Sequence, residues 1–466
     1  MIKEAILKDE LLKKIKKSLK DYDCYLVGGY LRDLMSGNAS CDRDLIVKSD
    51  VAKEIALKIS EDTNGHFVPL DEENKIYRVV MPDKTNYFDV SAMLNDDLDA
   101  DIQRRDLTIN ALVYDLKNEQ IIDKCNAIKD FENKVLRTYS INNFIDDPLR
   151  MLRVFRFSAK YGFDIDSEII DFIKNNTKLI NKPAKERINT ELIKLFDAKY
   201  SELGLKQMDN CGLLCEILPV IEEVKKIPPN SHHHLDLLGH SLETVKQTEI
   251  QYEQLESNQK KMLEETSLGN YSRKAFLKLA AFLHDIGKPD TWTIDEETGR
   301  HRFIMHDEIG SKKVIPILKE LKFSKKQISY IANMIKFHIY PSSLVGSNET
   351  TPKAHLKYYR KLSPYFLDNI ILAKADRLSA LGNAITADMV KSNIEKLSEL
   401  QKECFEYDES VAAPKPLLTG KDIMNLTGLP QSKELGNIVK ALYSAQLEGN
   451  ITTREEATDF VLKYKQ

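Results

Sequence analysis

The stretch that most constrains the fold of this chain is residues 26–47, where two apolar segments flank a pair of glycines. Residues 26–27 predict a short strand that breaks at residues 28–29. Residues 30–35 predict a short helix that ends before the next glycine. A second strand follows, and two aspartates precede its apolar end. The stretch therefore predicts a strand–turn–helix–strand unit.

The two aspartates of the second strand, Asp42 and Asp44, are one residue apart. Alternate residues of a strand point to the same face, so both carboxylates project side by side. Two carboxylates this close repel each other unless a cation lies between them, and their oxygens suit Mg²⁺, which also binds substrate phosphates. Gly28 and Gly29 allow backbone N–H groups to approach such phosphates, and Arg32 can reach them. An Asp-x-Asp pair alone is more often a solvated strand end, but in this context it predicts metal-assisted phosphoryl or nucleotidyl transfer.

A third carboxylate on a nearby strand is a further candidate ligand. Residues 66–70, 77–81 and 87–90 predict short strands, and Asp89 lies on the last of them. Asp89 could join the two aspartates, or it could face water at a strand end. The sequence leaves both alternatives open.

Residues 99–115 contain the pattern Arg-Arg-Asp-x-x-x-Asn, where a loop is predicted to become a helix. Asp106 could cap that helix, and Arg105 could reach a ribose hydroxyl or a phosphate. The alternative is an ordinary capped amphipathic helix with arginines on its surface.

Residues 146–163 predict a second arginine-rich helix, which starts at Asp147 and Pro148. Its arginines recur every three residues beside an apolar stripe. Spacing alone would also permit a salt-bridged surface helix.

In combination, these segments resemble the motifs of the tRNA nucleotidyltransferase and poly(A) polymerase family. Residues 26–47 resemble its catalytic signature, and residues 104–111 resemble a motif associated with choosing ribonucleotides. Residues 146–150 resemble its acidic-acidic-x-x-Arg motif, with Asp in place of the more usual Glu at the first position. Residues 186–196 resemble its last head-and-neck motif. Asn126-Ala127 stands where the family usually has a Gly-Gly hinge, so hinge flexibility is in doubt.

The resemblance implies that Asp147 and Arg150 present a Watson–Crick-like edge to the incoming base. Asp147 would accept from an exocyclic amine, and Arg150 would donate to ring acceptors. Cytosine and adenine both carry an amine beside a ring nitrogen acceptor, which guanine and uracil do not, so this pair could select CTP and ATP. Arg153 and Arg156 are then candidates for contact with the triphosphate.

The second half of the chain has a separate set of candidate metal ligands. Eight of the ten histidines lie between residues 232 and 338. A lone histidine is more often part of a core or a surface, but the order of a His, a His-Asp doublet, further His and a final Asp resembles HD-superfamily metal phosphohydrolases. Imidazole and carboxylate groups suit a divalent transition metal or magnesium that activates water. The resemblance implies the ligands His240, His284, Asp285 and Asp376, with His306 and His338 as contacts to a second metal or a phosphate.

Composition limits the environment and the partners. Charges are nearly balanced, with 68 basic and 72 acidic residues, so any RNA site must be a local basic patch. The six cysteines show no Cys-x-x-Cys spacing, which suits a reducing cytosol. Residues 1–20 predict an amphipathic helix, and no segment approaches about 20 continuous apolar residues. We expect a soluble cytoplasmic protein without a membrane span.

These features predict an α+β fold, with a small nucleotidyltransferase α/β head followed by mostly helical parts. Residues 258–272 are polar and predict an inserted loop or a helix end. The expected domains are a head at 1–135, a neck with nucleotide-selecting and RNA-binding motifs at 136–225, an HD domain at 231–385 and a helical, tRNA-binding tail at 386–466.

The expected activity is template-independent addition of CMP and AMP from CTP and ATP to the 3′ end of tRNA, with Mg²⁺ bound by Asp42 and Asp44. The HD site would hold a divalent metal and could add a phosphohydrolase activity. Alternatives are an enzyme that adds only CC or only A, a poly(A) polymerase, and an HD phosphohydrolase whose head only binds RNA. The oligomeric state is open.

Overall fold

A computed structural model of the chain divides into two compact units, Met1–Ile217 and Leu218–Gln466. Within the described residues, strands concentrate in the first unit and the second is helical apart from one hairpin, so the predicted α+β class is confirmed. The division into head, neck, HD domain and tail stays a prediction. Residues 408–414 of the expected tail lie outside the described residues, which are 2–38, 40–347, 351–407, 415–447 and 449–464.

The first unit contains a seven-stranded sheet and a two-stranded one. The strands are β1 (Cys24–Val27), β2 (Asp42–Val47), β3 (His66–Asp71), β4 (Ile76–Val80), β5 (Tyr87–Ala92), β6 (Val113–Asp115), β7 (Gln120–Ile122), β8 (Val135–Leu136) and β9 (Asp164–Ile165). The large sheet has the order β3-β4-β5-β2-β1-β6-β7. Its neighbours are antiparallel except β2 and β5, which are parallel. The aspartate-bearing strand therefore lies in the middle of the sheet, between β1 and β5.

Twelve helices surround these strands in the described part of the first unit. They are α1 (Ile2–Lys8), α2 (Glu10–Lys16), α3 (Gly29–Met35), α4 (Ala52–Thr63), α5 (Leu98–Gln103), α6 (Ala127–Glu132), α7 (Asn142–Asp146), α8 (Leu149–Tyr161), α9 (Ser167–Asn175), α10 (Lys185–Asp197), α11 (Ser201–Asn210) and α12 (Leu213–Ile217). One face of α4 buries Ile55 and Ile59 in the core of the sheet, together with Leu45 and Val90. This apolar packing holds β2 and β5 in place beneath the aspartates.

The N-terminal segment is two short helices, so the single amphipathic helix predicted for residues 1–20 is wrong. Asp9 interrupts it, because its Oδ1 accepts from the backbone N–H of Leu11 and begins α2. The other carboxylate oxygen of Asp9 accepts from Arg43 Nη2 at 2.6 Å and from the Tyr30 hydroxyl at 2.7 Å. A tertiary contact with β2 and α3 therefore decides where the first helix stops.

The helix predicted from the arginine-rich segment is α8, which begins at Leu149 after Pro148. Its apolar stripe is buried, including Leu152 and Phe155, and it packs against α10 and α11. The C-terminal cap is Gly162 with φ 69°, a left-handed conformation that glycine adopts readily. The helix therefore has an apolar face in the core, as its sequence pattern predicts.

The second unit is a helical body with one hairpin of β10 (Trp292–Ile294) and β11 (His301–Phe303). A helix at Ser257–Glu264 covers part of the polar segment 258–272, and a loop follows it, so that segment is a helix end and a loop. The helices are α13 (Ile221–Val224), α14 (Leu237–Glu253), α15 (Ser257–Glu264), α16 (Arg273–Leu283), α17 (Lys288–Thr291), α18 (His306–Glu320), α19 (Lys325–Phe337), α20 (Tyr340–Gly346), α21 (Pro352–Leu362), α22 (Phe366–Ser379), α23 (Ala387–Glu406), α24 (Gly420–Thr427), α25 (Lys433–Leu447) and α26 (Arg454–Tyr464).

The helices from α14 to α22 pack against one another, and the last three helices pack mainly with each other. The helix α14 packs against α16 and α22, and α18 packs against α19. The last three helices bury a small core of their own, which contains Ile423, Ile438 and Val461. In the part of the chain that the structure describes, no helix is both long enough and apolar enough to span a membrane.

Candidate active sites

The turn between β1 and α3 places a glycine directly against the aspartates. Gly28 has φ 73°, and a Cβ atom built on it would lie 2.7 Å from Asp44 Oδ2. Any side chain at this position would therefore collide with the carboxylate. The backbone N–H of Gly29 donates a hydrogen bond to Asp44, so this turn lies directly beside the aspartates.

Three carboxylates converge on this turn. Asp42 and Asp44 share one face of β2, and Asp89 pairs with Asp44 in the parallel register of β2 and β5. One oxygen from each lies within 4.8 Å of the other two. Of the two alternatives for Asp89, the structure thus places it in the cluster and not at a solvated strand end.

The electrostatics of the cluster favour a cation. Burial, followed by the charges of Asp42 and Asp89, raises the pKa of Asp44 to about 7. Burial and the charge of Asp89 also raise the pKa of Asp42, whose Oδ1 is buried without a hydrogen-bond partner. Arg78 offsets part of the repulsion through two bonds to Asp89, at 2.8 and 2.7 Å. Clustered carboxylate oxygens with an unpartnered atom fit a hard divalent cation.

A cavity of about 250 Å³ lies in the same unit and brings together four of the eight predicted nucleotide ligands. Five arginines and two aspartates dominate its wall, so it favours an anionic ligand that also carries hydrogen-bonding groups. The lining residues are Arg104, Arg105, Asp106, Asp147, Leu149, Arg150, Arg153 and Arg187.

Arg105 connects this cavity to the carboxylate cluster. Its Nη1 lies 3.7 Å from the Cβ position built on Gly28, and it donates to the backbone oxygen of Asn110 at 3.3 Å. Its Nη2 donates to the buried carboxylate of Asp101 at 2.9 Å. A ligand bound in the cavity could therefore contact the Arg105 guanidinium group, which also lies close to the glycine turn.

The helix predicted to start at Asp106 is not formed, and the helix-cap prediction for this residue is wrong. Only a single 3₁₀ turn, Thr108–Asn110, precedes β6. The buried Asp106 accepts from Asn110 Nδ2 at 2.7 Å and from Arg153 Nε at 2.7 Å. Burial alone would raise the pKa of Asp106, but the charge of Arg153 and these hydrogen bonds lower it to about 2. The carboxylate that was predicted to cap a helix thus forms tertiary hydrogen bonds instead.

The two residues proposed to read the base both line the cavity. Asp147 lies between α7 and α8, and its Oδ2 accepts from Arg187 Nη2 at 2.8 Å. Arg150 Nη1 donates to the backbone oxygen of Asn143 at 3.1 Å. Among the described residues, no carboxylate lies within ion-pair distance of Arg150, and burial lowers its pKa. Its guanidinium therefore keeps donors for a ligand.

Among the predicted nucleotide ligands, Arg32 and Arg156 do not line the cavity, and neither do the two glycines of the turn. Arg32 donates from Nε to the Tyr161 hydroxyl at 2.7 Å and from Nη1 to Asn110 Oδ1 at 2.5 Å. Arg156 is half-buried, and its Nε lies 2.8 Å from Glu191 of α10. Both guanidinium groups tie α8 to neighbouring elements in this structure.

The second unit brings all six predicted HD-type ligands together. Five helices contribute them, and most of the six residues lie at or next to a helix end. His240 is on α14, His284 and Asp285 follow α16, His306 begins α18, His338 follows α19, and Asp376 is on α22.

Asp285 lies between two groups of histidines in this centre. Its Oδ2 is 3.3 Å from His240 Nε2 and 3.2 Å from His284 Nε2. Its Oδ1 is 3.2 Å from His306 Nε2 and 3.8 Å from His338 Nε2. Asp376 completes the first group, with Oδ1 3.1 Å from His240 Nε2. Two ligand sets of at least three groups thus share the buried His284.

The imidazole rings are oriented for metal binding. The Nδ1 atoms of His284, His306 and His338 lie 2.8, 2.7 and 2.6 Å from backbone carbonyl oxygens, which can accept their protons. This arrangement leaves Nε2 of each ring as the free ligand atom. The Oδ1 atom of Asp285 is buried without a hydrogen-bond donor. Nitrogen and oxygen ligands with these unpartnered atoms fit a divalent metal.

Lys288 is a functional candidate that sequence reasoning missed. Its Nζ is 2.5 Å from Asp285 Oδ2 and 3.3 Å from His233 Nε2. Burial alone would raise the pKa of Asp285, but the charges of His284 and Lys288 hold it well below its usual range. The Gly-Lys pair that follows the His-Asp doublet after one intervening residue was the available signal.

Three protein-family models match this chain in consecutive segments. The Poly A polymerase head domain matches residues 24–137, the Probable RNA and SrmB- binding site of polymerase A matches 162–225, and the HD domain matches 237–381. The chain is thus similar, along most of its length, to the tRNA nucleotidyltransferase and poly(A) polymerase family. Both candidate sites lie in segments matched by these models, the carboxylate cluster in the head domain and the histidine centre in the HD domain.

Two members of the family align with nearly the whole chain. An A-adding tRNA nucleotidyltransferase of Deinococcus radiodurans is 28% identical over 446 residues, which cover 95% of each protein. A CC-adding tRNA nucleotidyltransferase of Thermus thermophilus is 28% identical over 455 residues, which cover 95% of this chain and 94% of that protein.

Solved structures of the family share the fold. A Thermotoga maritima CCA-adding enzyme complexed with tRNA superposes with a TM-score of 0.56 at 17% identity, covering 98% of this chain and 94% of that one. A CCA-adding enzyme complexed with ATP gives a TM-score of 0.59 at 18% identity, with the same coverage.

Proposed function

We propose that this protein is an enzyme that adds CMP and AMP from CTP and ATP to the 3′ end of tRNA and releases pyrophosphate. The observation that carries the proposal is the cluster of Asp42, Asp44 and Asp89, which Arg105 connects to the arginine-lined cavity. The names of the aligned relatives support the reaction class.

The three carboxylates would hold Mg²⁺. Bound there, the metal supplies Lewis-acid activation of the 3′-hydroxyl and charge neutralisation at the triphosphate. Gly28 and Gly29 let the backbone approach the phosphates without a side chain in between. Arg105 and Arg153 are candidates for the triphosphate or the ribose. Arg32 and Arg156 would join them only by exchanging their present partners.

Asp147 and Arg150 would select the base from the cavity wall. An ionised carboxylate only accepts hydrogen bonds, so Asp147 favours the exocyclic amine of cytosine or adenine over the keto oxygen of uracil or guanine. Arg150 would donate to the adjacent ring acceptor. One protein-based edge can thus serve both nucleotides.

Which nucleotides this enzyme adds must be determined by product analysis, because one aligned relative is named as A-adding and the other as CC-adding. The test uses tRNAs that end before C, after CC and after CCA, each with single labelled nucleotides and Mg²⁺. Full CCA addition predicts CMP incorporation on the first and AMP incorporation on the second. Incorporation on only one of the two would assign a CC-adding or A-adding enzyme.

A double variant tests whether the activity depends on the carboxylate cluster. Asp42→Ala with Asp44→Ala should abolish incorporation, because it removes two of the three candidate metal ligands. Incorporation that persists in this variant would overturn the proposed function.

We further propose a metal-dependent phosphohydrolase activity for the histidine centre, which the six converging ligands favour. Asp376 is its most exposed ligand, at 27%, so a phosphate ester would enter on that side. The variant His284→Ala with Asp285→Ala should lose phosphatase activity and keep CMP incorporation, whereas the Asp42/Asp44 variant should do the reverse. We also propose a cytoplasmic location for the protein, as expected from the cysteine pattern.

A further inference from the structure

We propose that Arg187 is a positioning residue for base selection, which fixes the carboxylate of Asp147 so that it discriminates between amino and keto bases. The inference rests on the nucleotidyl transfer proposed above and adds a residue to it. Arg187 lies on α10, 40 residues from Asp147 along the chain, and no motif of the sequence linked the two.

The contact is direct and forms part of the cavity. Arg187 Nη2 donates to Asp147 Oδ2 at 2.8 Å, and both residues line the cavity that contains Arg150. The two side chains are 53% and 30% exposed. An exposed ion pair contributes little to folding stability, so the position of this one beside the cavity suggests a role other than stability.

Little else holds the Asp147 carboxylate. The residue has φ −136° and ψ 93°, so it follows the last residue of α7 in an extended conformation and is not part of a regular helix. Its Oδ1 accepts only a long bond of 3.3 Å from the backbone N–H of Leu149. The terminal torsion of an aspartate is broad and roughly two-fold. Arg187 is therefore the main restraint on the rotation of this carboxylate.

A carboxylate held in one orientation discriminates better between amino and keto bases. With Oδ2 occupied by Arg187, the remaining lone pairs of Asp147 stay available to an exocyclic amine. A keto oxygen at the same place would face those lone pairs and be repelled. A carboxylate free to rotate would lose part of its bond to the amine and also avoid the keto oxygen. Removing Arg187 should therefore lower the preference for cytosine over uracil more than it lowers turnover.

The experiment compares three variants of the full-length protein with the wild type. Arg187→Gln removes the positive charge and the two-pronged guanidinium group, and Arg187→Lys keeps the charge. Lys182→Gln is a matched control that removes an exposed cation five residues earlier in the chain. The measured quantity is kcat/KM for CTP divided by kcat/KM for UTP on a tRNA that ends before C. Thermal melting confirms that each variant is folded.

We expect Arg187→Gln to lower the CTP/UTP ratio by about tenfold, Arg187→Lys to give an intermediate ratio, and Lys182→Gln to leave it within twofold. An equal loss of kcat/KM for CTP and UTP would make Arg187 an ordinary phosphate contact and overturn the proposal. So would an unchanged ratio in Arg187→Gln. If Arg187→Gln does not fold, Arg187→Lys decides by the same ratio. Absence of any incorporation by the wild type would instead refute the proposed function.

Discussion

Asp44 of β2 and Asp89 of β5 lie directly opposite each other on parallel strands, with their carboxylate oxygens within 4.8 Å. Parallel pairing places equivalent side chains of adjacent strands on the same face. The pair, with Asp42, forms a negative pocket whose charge Arg78 and Arg105 partly offset. This register is the reason why Asp89 can act with two residues that lie about forty positions earlier in the chain.

Asp89→Asn should lower CMP incorporation by at least about 100-fold, because it removes one of three charges that would hold the metal, worth several kcal/mol at the transition state. The Mg²⁺ concentration for half-maximal activity should also rise. Steady-state incorporation over a Mg²⁺ titration measures both. The exposed Glu73→Gln is the control, and activity of Asp89→Asn within twofold of wild type at every Mg²⁺ concentration would contradict the prediction.

Gly28→Ala should abolish incorporation, since the new Cβ would lie 2.7 Å from Asp44 Oδ2. The backbone conformation at φ 73° adds strain of about 1–3 kcal/mol. Gly37→Ala is the matched control, because Gly37 has φ 75° and nothing lies within 4 Å of its Cβ position. We expect a lower melting temperature for both variants but loss of activity only for Gly28→Ala. Equal activities in the two variants would show that the Asp44 carboxylate can move away from the new methyl group without loss of function.

Asp106→Asn should destabilise the first unit at neutral pH by about 2 kcal/mol, the free energy that corresponds to lowering a pKa from 3.8 to about 2. The folded-state pKa is below the unfolded one, so this stabilisation is present above pH 4 and is lost as the pH falls from about 4 to 2. Urea unfolding of wild type and variant at pH 7, 4 and 2 measures it. The difference in the free energy of unfolding should shrink across that window, and a constant difference would exclude Arg153–Asp106 as its source.

His284→Ala should remove bound divalent metal from the second unit, because His284 belongs to both candidate ligand sets. Elemental analysis of purified protein measures the metal per chain without relying on activity. His355→Ala is the control, since His355 pairs with Glu403 outside the centre. We expect metal to be retained in the control and lost in His284→Ala, with a lower melting temperature for the latter. Equal metal contents would refute the assignment of His284 as a ligand.

Several features of the fold follow from local sequence patterns. The strand–glycine–helix–strand unit of residues 26–47 was predicted, and the structure has β1, α3 and β2 there. The two-residue period of a strand places Asp42 and Asp44 on one face without further information. The helix with its apolar stripe at 149–161 follows from the three- and four-residue spacing in the same way. These predictions succeed because short-range sterics and burial of one face determine them.

Tertiary structure decided which distant groups meet. The sequence could not choose between two environments for Asp89, because strand order and register are set by packing over many residues. It assigned Asp106 to a helix cap, although Asn110 and Arg153 bind it. It gave no signal that Arg187 reaches Asp147.

By itself, then, the sequence determined the strand that carries two aspartates, the arginine-bearing helix and the order of the HD-type ligands. Only the tertiary structure decided the third carboxylate, the partners that occupy Arg32 and Arg156, and the restraint on Asp147. The physical reason is that periodicity is a local property of the chain, whereas ion pairs between distant residues depend on how separate elements pack together.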